Sequence, residues 1–245
     1  MKKFIKKEFN EFMVLMRSVP ASIMTLFVLS VVLMNILANK ELISVGNWLA
    51  LDCGMLISWI AFFTMDLIAR RFGSKASITL NIVAICINLL VAGILAIIGA
   101  IPGNWSASYT ENQVVINEAL DSTISGTWFV LLGSTIAFIS SGIVHALTNS
   151  LTRKIFNKNT GKHYLITSYI STGIAQFIDN LIFALIVSLT FFGWNIVQCI
   201  TCALTGMVME LIFEFAFGPI GYRVIKRWEK HKVGNEYITY IEENR

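Results

Sequence analysis

Charged side chains are scarce in this chain. Of its 245 residues only 14% are Asp, Glu, Lys or Arg, against 56% hydrophobic, and the mean hydropathy is +0.69. A water-soluble domain carries about 25% charged residues, so no soluble catalytic domain fits. The signatures of nucleotide and hydrolytic chemistry are missing too. Gly161-Lys162 is the one Gly-Lys pair; it lacks the upstream glycine of a phosphate-binding loop, and His163 follows where Ser or Thr belongs. The chain is therefore read as having no ATPase of its own. Neither H-E-x-x-H nor G-x-S-x-G occurs, and an enzyme is not expected. Cysteine is limited to Cys53, Cys86, Cys199 and Cys202, all in apolar sequence. Cys199-Ile-Thr-Cys202 has C-x-x-C spacing, but no second cysteine or histidine cluster accompanies it. It reads as two small residues on one helical turn, and no metal or cofactor is called for.

What the chain does have is long apolar stretches. A bilayer core of about 30 Å needs about 20 apolar residues per helix. Six stretches qualify as spans: Ala21–Ala38, Trp48–Ala69, Ile78–Ile101, Gly126–Leu147, Tyr164–Phe191 and Ile196–Phe217. Of the 19 basic residues, all but Lys40 fall in every second gap between them. They sit before the first span, around Arg70 to Lys75, from Arg153 to Lys162, and beyond Tyr222. That is the positive-inside pattern of a multi-pass protein with both termini in the cytoplasm. The expected fold class is all-α, a polytopic integral membrane protein of six transmembrane helices in the cell (plasma) membrane, the inner membrane of a bacterium. Residues 1–19 interleave Lys with Phe4, Ile5, Phe9, Phe12 and Met13, which suggests an interfacial helix on the cytoplasmic surface. Residues 20–221 are read as the six-helix transmembrane domain, and 222–245 as a basic cytoplasmic tail. The first stretch is long enough to span and is read as a span, not a cleavable leader. The basic residues set orientation, so nucleic acid is excluded as a partner.

Ionisable and amide side chains at membrane depth are costly and mark candidate sites. In the fifth span Thr172, Gln176 and Asp179 recur at spacings of four and three, on one helix face, and Phe183 continues it. A hydroxyl, an amide and a carboxylate beside an aromatic suit a polar planar ligand; the alternative is polar contact between helices. The sixth span carries Glu210 and Glu214 one turn apart. Two close carboxylates raise each other's pKa, which suits proton coupling; alternatively Glu214 pairs with a cation of the tail. Asp66 and Arg70 share a face and can pair, as coupling groups or as a boundary salt bridge. Asn35 and Asn39 end the first span, and Lys40, the sole basic residue outside, can sit in the headgroups or neutralise Asp52. His145, near the inner end of the fourth span, is given little weight.

These residues resemble the VUT family of vitamin-uptake or queuosine-precursor transporters. The end of the first span matches at Asn35, Ile36, Ala38 and Lys40, and the second span at Asp66, Arg70, Phe72 and Gly73. The fifth matches at Ser171, Thr172, Gln176, Asp179 and Phe183, and the last loosely at Glu210, Glu214 and Pro219. The likeness runs from about Met24 to Ile225. The family carries a Gln and an acidic residue near the inner end of its fourth span, where this chain reads Gly142-Ile143-Val144-His145-Ala146. What the resemblance implies is import of 7-cyano- or 7-aminomethyl-7-deazaguanine. Asp179 would accept the paired N–H donors of the guanine-like edge, and Gln176 and Asn35 would serve its carbonyl and ring nitrogens. Phe183 and Trp59 would stack on the ring, and Glu210 would balance an aminomethyl cation. The expected partners are a small-molecule substrate and the bilayer, with a homo-oligomer or separate transport subunits left open. Two alternatives stand: the substrate-binding subunit of an energy-coupling-factor importer, and a membrane enzyme acting on lipid. The first span shows no clear Ala-x-x-x-Ala run for the former, and no nucleophile or metal constellation supports the latter.

Overall fold

The computed structural model describes residues 2–106, 113–155 and 161–244; the side chains at 2–5, 113, 145–146, 149–150, 152–155, 161–169 and 171 lie outside that description. The expected contributions of Ser171 and His145, and the basic loop from Arg153 to Lys162, fall among these. In chain order come α1 (Lys2–Ser18), α2 (Ala21–Leu37), β1 (Glu41–Val45), β2 (Leu49–Asp52), α3 (Met55–Phe72) and α4 (Ser74–Ala100). Then follow α5 (Gln113–Ile155), α6 (Gly161–Phe183), a π-helical turn (Ala184–Ser188), α7 (Leu189–Phe191), α8 (Ile196–Lys230) and α9 (Asn235–Glu243). The protein is mostly helical, as apolar runs with so little charge require.

Among the described residues, four helical stretches are long and apolar enough to cross a membrane: Ser74–Ala100, Val114–Val144, Thr172–Phe191 and Ile196–Lys230. Lys6–Ser18 and Ala21–Leu37, bent by 102°, supply a fifth if taken together. The bend has a local cause: Pro20 cannot extend α1 with a backbone N–H and opens α2 instead. At 1.5 Å per residue, the 17-residue α2 reaches about 26 Å, slightly short of a full core. α3 carries three charged residues, Asp66, Arg70 and Arg71, within its 18 residues and is not among these stretches.

Three boundaries differ from the sequence reading. The second stretch does not begin as a helix at Trp48, because Leu49–Asp52 pairs with Glu41–Val45 as an antiparallel ribbon. The helix itself starts at Met55. The loop expected at Pro102–Ser125 is shorter, because α5 starts at Gln113 and extends well beyond Gly126–Leu147 at both ends. The tail expected beyond Tyr222 continues α8 to Lys230 and then folds back as α9.

The chain divides into two compact units. The first comprises Met1–Val32, Ile57–Ile87 and Phe213–Arg245. Its core joins Leu15, Phe27, Leu67, Ile68, Phe72, Leu80, Trp228 and Tyr237. The α8–α9 turn is fixed by Arg71, whose Nε and Nη2 donate to the Val233 carbonyl at 3.0 and 2.7 Å, and whose Nη2 also reaches Asn235 Oδ1 at 2.8 Å. Gly234 adopts φ +74°, and the Phe72 ring occupies the place a Cβ would take. The fold-back brings Tyr237 onto α1, where its hydroxyl donates to Glu11 Oε1 at 3.3 Å. Burial, with the neighbouring Glu11 carboxylate, pushes the Tyr237 phenol up to about 12, so it stays a donor at physiological pH.

Glu11 is only 6% exposed. Its second oxygen takes the Lys75 ammonium at 2.7 Å, and the same ammonium reaches Glu8 at 3.1 Å. Lys75→Met is expected to cost about 1–3 kcal/mol, because the buried carboxylate keeps its desolvation and loses its cation. Thermal unfolding in detergent checks this: the midpoint falls for Lys75→Met and recovers in part when Glu11→Gln is added, since the neutral amide leaves no unpaired buried charge and its oxygen can still accept from the Tyr237 hydroxyl. An unchanged midpoint in the single variant would show the ion pair to be solvated.

The second unit comprises Leu33–Leu56 and Asn88–Ile212. α5 and α6 pack along each other, and at Gly133 the absence of a side chain admits Val187 of the π-helical turn. A second cluster gathers Ala50, Leu51, Ala184, Trp194, Cys199 and Cys202 beneath the β-ribbon.

Candidate functional site

In the second unit, α6 carries the polar face anticipated from its spacing. Asp179 is half-buried, and Ser141 Oγ of α5 donates to its Oδ1 at 2.8 Å. Gln176, one turn earlier, is 6% exposed, and its Oε1 has no hydrogen-bond partner among the described residues. Asn180 presents a buried Nδ2 that likewise has no partner among the described residues. This amide lies over Gly206 of α8, with Nδ2 2.7 Å from where a Cβ would stand. Glycine at 206 is what lets α8 approach. Gly173 does the same one end along, where an added Cβ would sit 3.4 Å from Leu211. Glu210, on the face of α8 that Gly206 begins, is 4% exposed. Cys202 completes that face, within electrostatic reach of Asp52, Cys199 and Glu210.

The remaining expected residues of this unit have other surroundings. Thr172 is half-buried at the start of the polar face. Phe183 packs against Ala38, Val130 and Val187, just before the π-helical turn. Asn35 is buried, and Asn39 Nδ2 donates to Thr127 Oγ1 at 3.2 Å, tying the end of α2 to α5. Lys40 is exposed at the turn into β1, where its carbonyl accepts the Cys53 N–H at 2.8 Å. Asp52 Oδ1 accepts the Gly54 N–H at 2.8 Å, and Asp52 caps α3.

Trp59, Asp66, Arg70 and Glu214 belong to the first unit. The Trp59 ring stacks on Phe213 and Phe217, with centroids 5.0 and 4.6 Å away. Both of these stacking partners belong to α8. Asp66 and Arg70 pair at 2.7 Å with both side chains substantially exposed, a geometry worth about 0–1 kcal/mol. Glu214 lies within electrostatic reach of both, and its Oε2 is buried with no hydrogen-bond partner among the described residues. The groups read together from sequence therefore form two clusters, one in each unit.

Sequence reasoning left Ser141, Asn180 and Gly206 out of the candidate set. Asn180 had a signal, since it follows Gln176 by one turn on the same helix. Ser141 and Gly206 had none, because only tertiary packing shows what faces them.

No curated protein and no solved structure shows a significant match to the chain. A family model described as "Putative vitamin uptake transporter" matches residues 52–224. The match takes in α3, α6 and most of α8, and leaves the segment from Asn35 to Lys40 outside it. A match over more than half of the chain, to a family of membrane transporters for small molecules, makes this chain a member of that family.

Proposed function

We propose that the protein imports a 7-deazaguanine, the 7-cyano or 7-aminomethyl precursor of queuosine, or a similar small heterocycle, across the plasma membrane. The observation that carries this reading is the open hydrogen-bonding capacity on α6. An acceptor at Gln176 Oε1 and a donor at Asn180 Nδ2 are buried on adjacent turns beside the Asp179 carboxylate. Buried polar atoms in native proteins are nearly always partnered. A planar heterocycle with donors and acceptors on its edges would supply the missing partners, and the carboxylate would accept its paired N–H groups.

In this reading six helices cross the bilayer, α2 and α3 included, with both termini in the cytoplasm. Residues 1–19 lie along the inner surface, 20–221 carry substrate, and 222–245 stay on the cytoplasmic side. Glu210, buried on the opposing helix, balances a cationic side group, and Glu214 with Asp66 and Arg70 serves coupling. No ATPase of its own is invoked. The test is a thermal-shift screen of the purified protein against purines, deazapurines and pteridines. A deazaguanine is expected to raise the unfolding midpoint of the unaltered protein and to leave Asp179→Asn unshifted. Stabilisation by pteridines alone would redirect the substrate assignment, and an equal shift in both proteins would move the site off α6.

A further inference from the structure

The second strand of the β1–β2 ribbon was read from sequence as the opening of a membrane helix and the first as part of the gap before it, and the proposed transport site does not use the ribbon. Three features set it apart. First, no residue between Glu41 and Asp52 is charged. Asp52 is itself turned inward as a helix cap, and the Glu41 carboxylate accepts the Trp194 Nε1–H at 2.9 Å. Second, Leu42, Ile43, Val45 and Trp48 are 39, 46, 42 and 56% exposed. Leu42 and Ile43 are consecutive, so apolar groups leave the ribbon in more than one direction. An edge strand in water is normally blunted by Lys, Pro or inward charges; β1 has one such charge, Glu41 at its first residue, and none along Leu42–Val45. Third, the turn's carbonyls are taken by side chains of α8's start. Asn195 Nδ2 donates to Asn47 O at 2.9 Å, Gln198 Nε2 to Gly46 O at 3.3 Å, and Thr201 Oγ1 to Trp48 O. Side-chain donors set on three consecutive carbonyls, the Thr201 hydroxyl being shared with Val197 O and Gln198 O of its own helix, are redundant where water can reach them and necessary where it cannot.

We infer that the ribbon is a membrane-surface anchor, lying in the headgroup–acyl boundary of the outer leaflet, with lipid as the partner of its exposed face. Its apolar surface is continuous with that of the helix it is bonded to, where Ile196, Val197 and Ile200 are exposed on a spanning segment. The boundary depth follows from the backbone. The outer edge of β1 has no strand beside it among the described residues, so it needs the hydrated headgroups, while the turn is sealed by α8. Trp48 sits where amphipathic rings concentrate, at the membrane–water boundary. The inference is independent of which substrate is carried.

The test uses the full chain in lipid nanodiscs, unaltered and as Trp48→Phe, with Trp48→Tyr in its place if the phenylalanine variant does not fold. The difference between the two emission spectra isolates Trp48 from the five other tryptophans. With lipids brominated near the top of the acyl chain, the Trp48 component is expected to lose most of its intensity, while aqueous acrylamide removes little. Strong quenching by acrylamide and none by bromolipid would place the ribbon in water and overturn the inference. Protection from both quenchers that disappears when each disc holds one copy would give the surface to a second copy of this chain, and would overturn it as well.

Discussion

Cells that lack their own precursor synthesis and carry Asp179→Asn are expected to take up labelled deazaguanine at the rate of cells without the protein, with normal amounts of it in the membrane. The substitution keeps size and one acceptor oxygen, so the Ser141 hydroxyl, now 2.8 Å from Oδ1, still has a partner. Folding is therefore spared. What disappears is the charge that, in the proposed site, would accept two N–H donors at once, and a hydrogen bond to a charged group contributes about 1.5–3 kcal/mol. Lost in the bound state, that corresponds to about a 10- to 150-fold weakening, and the amide's own N–H adds a clash of donors. Ser141→Ala is the informative companion. It removes only the hydroxyl that orients the carboxylate, so uptake should fall much less. Full uptake by Asp179→Asn would show that the carboxylate only joins α5 to α6.

The second large effect concerns the α8–α9 turn. Gly234→Ala is expected to detach α9. An L-residue held at φ +74° costs about 1–2 kcal/mol. The new methyl group also lands on the Phe72 ring, and overpacking of this kind costs typically about 1–3 kcal/mol. Together, about 2–5 kcal/mol bears on a nine-residue helix whose main buried side chain is Tyr237. Hydrogen exchange should rise across residues 231–243 and limited proteolysis should cut there. Gly218→Ala serves as the control. Gly218 lies within α8, and nothing stands within 4 Å of its added Cβ, so stability should hold or rise by about 0.4–1 kcal/mol. Equal exchange in the two variants would mean that the Phe72 ring moves aside freely.

The helices were legible because hydropathy is additive along a chain. α4 follows its expected span within a few residues, since an uninterrupted apolar run has no competing local signal. The β-ribbon was not legible for the same reason: Trp48 to Asp52 is as apolar as a helix start, and only its partner strand distinguishes it. α9 was hidden by its charges, because Glu236, Glu242 and Glu243 read as solvated tail until Tyr237 is seen against Glu11. In the candidate site, periodicity sufficed to place Gln176 and Asp179 on one face of α6. It was silent on Trp59, whose stacking on Phe213 and Phe217 depends on which helix lies opposite. Residues that share a helix can be aligned from spacing; residues that meet across helices cannot.

The bond between Tyr237 and Glu11 joins positions 226 residues apart. Translation delivers α1 early and α9 after every hydrophobic stretch has already left the ribosome. Throughout that interval Glu11 has no phenol to accept from. The phenol is thus a late latch, and a chain cut short ahead of residue 237 would hold its first helix through Lys75 and the apolar core alone.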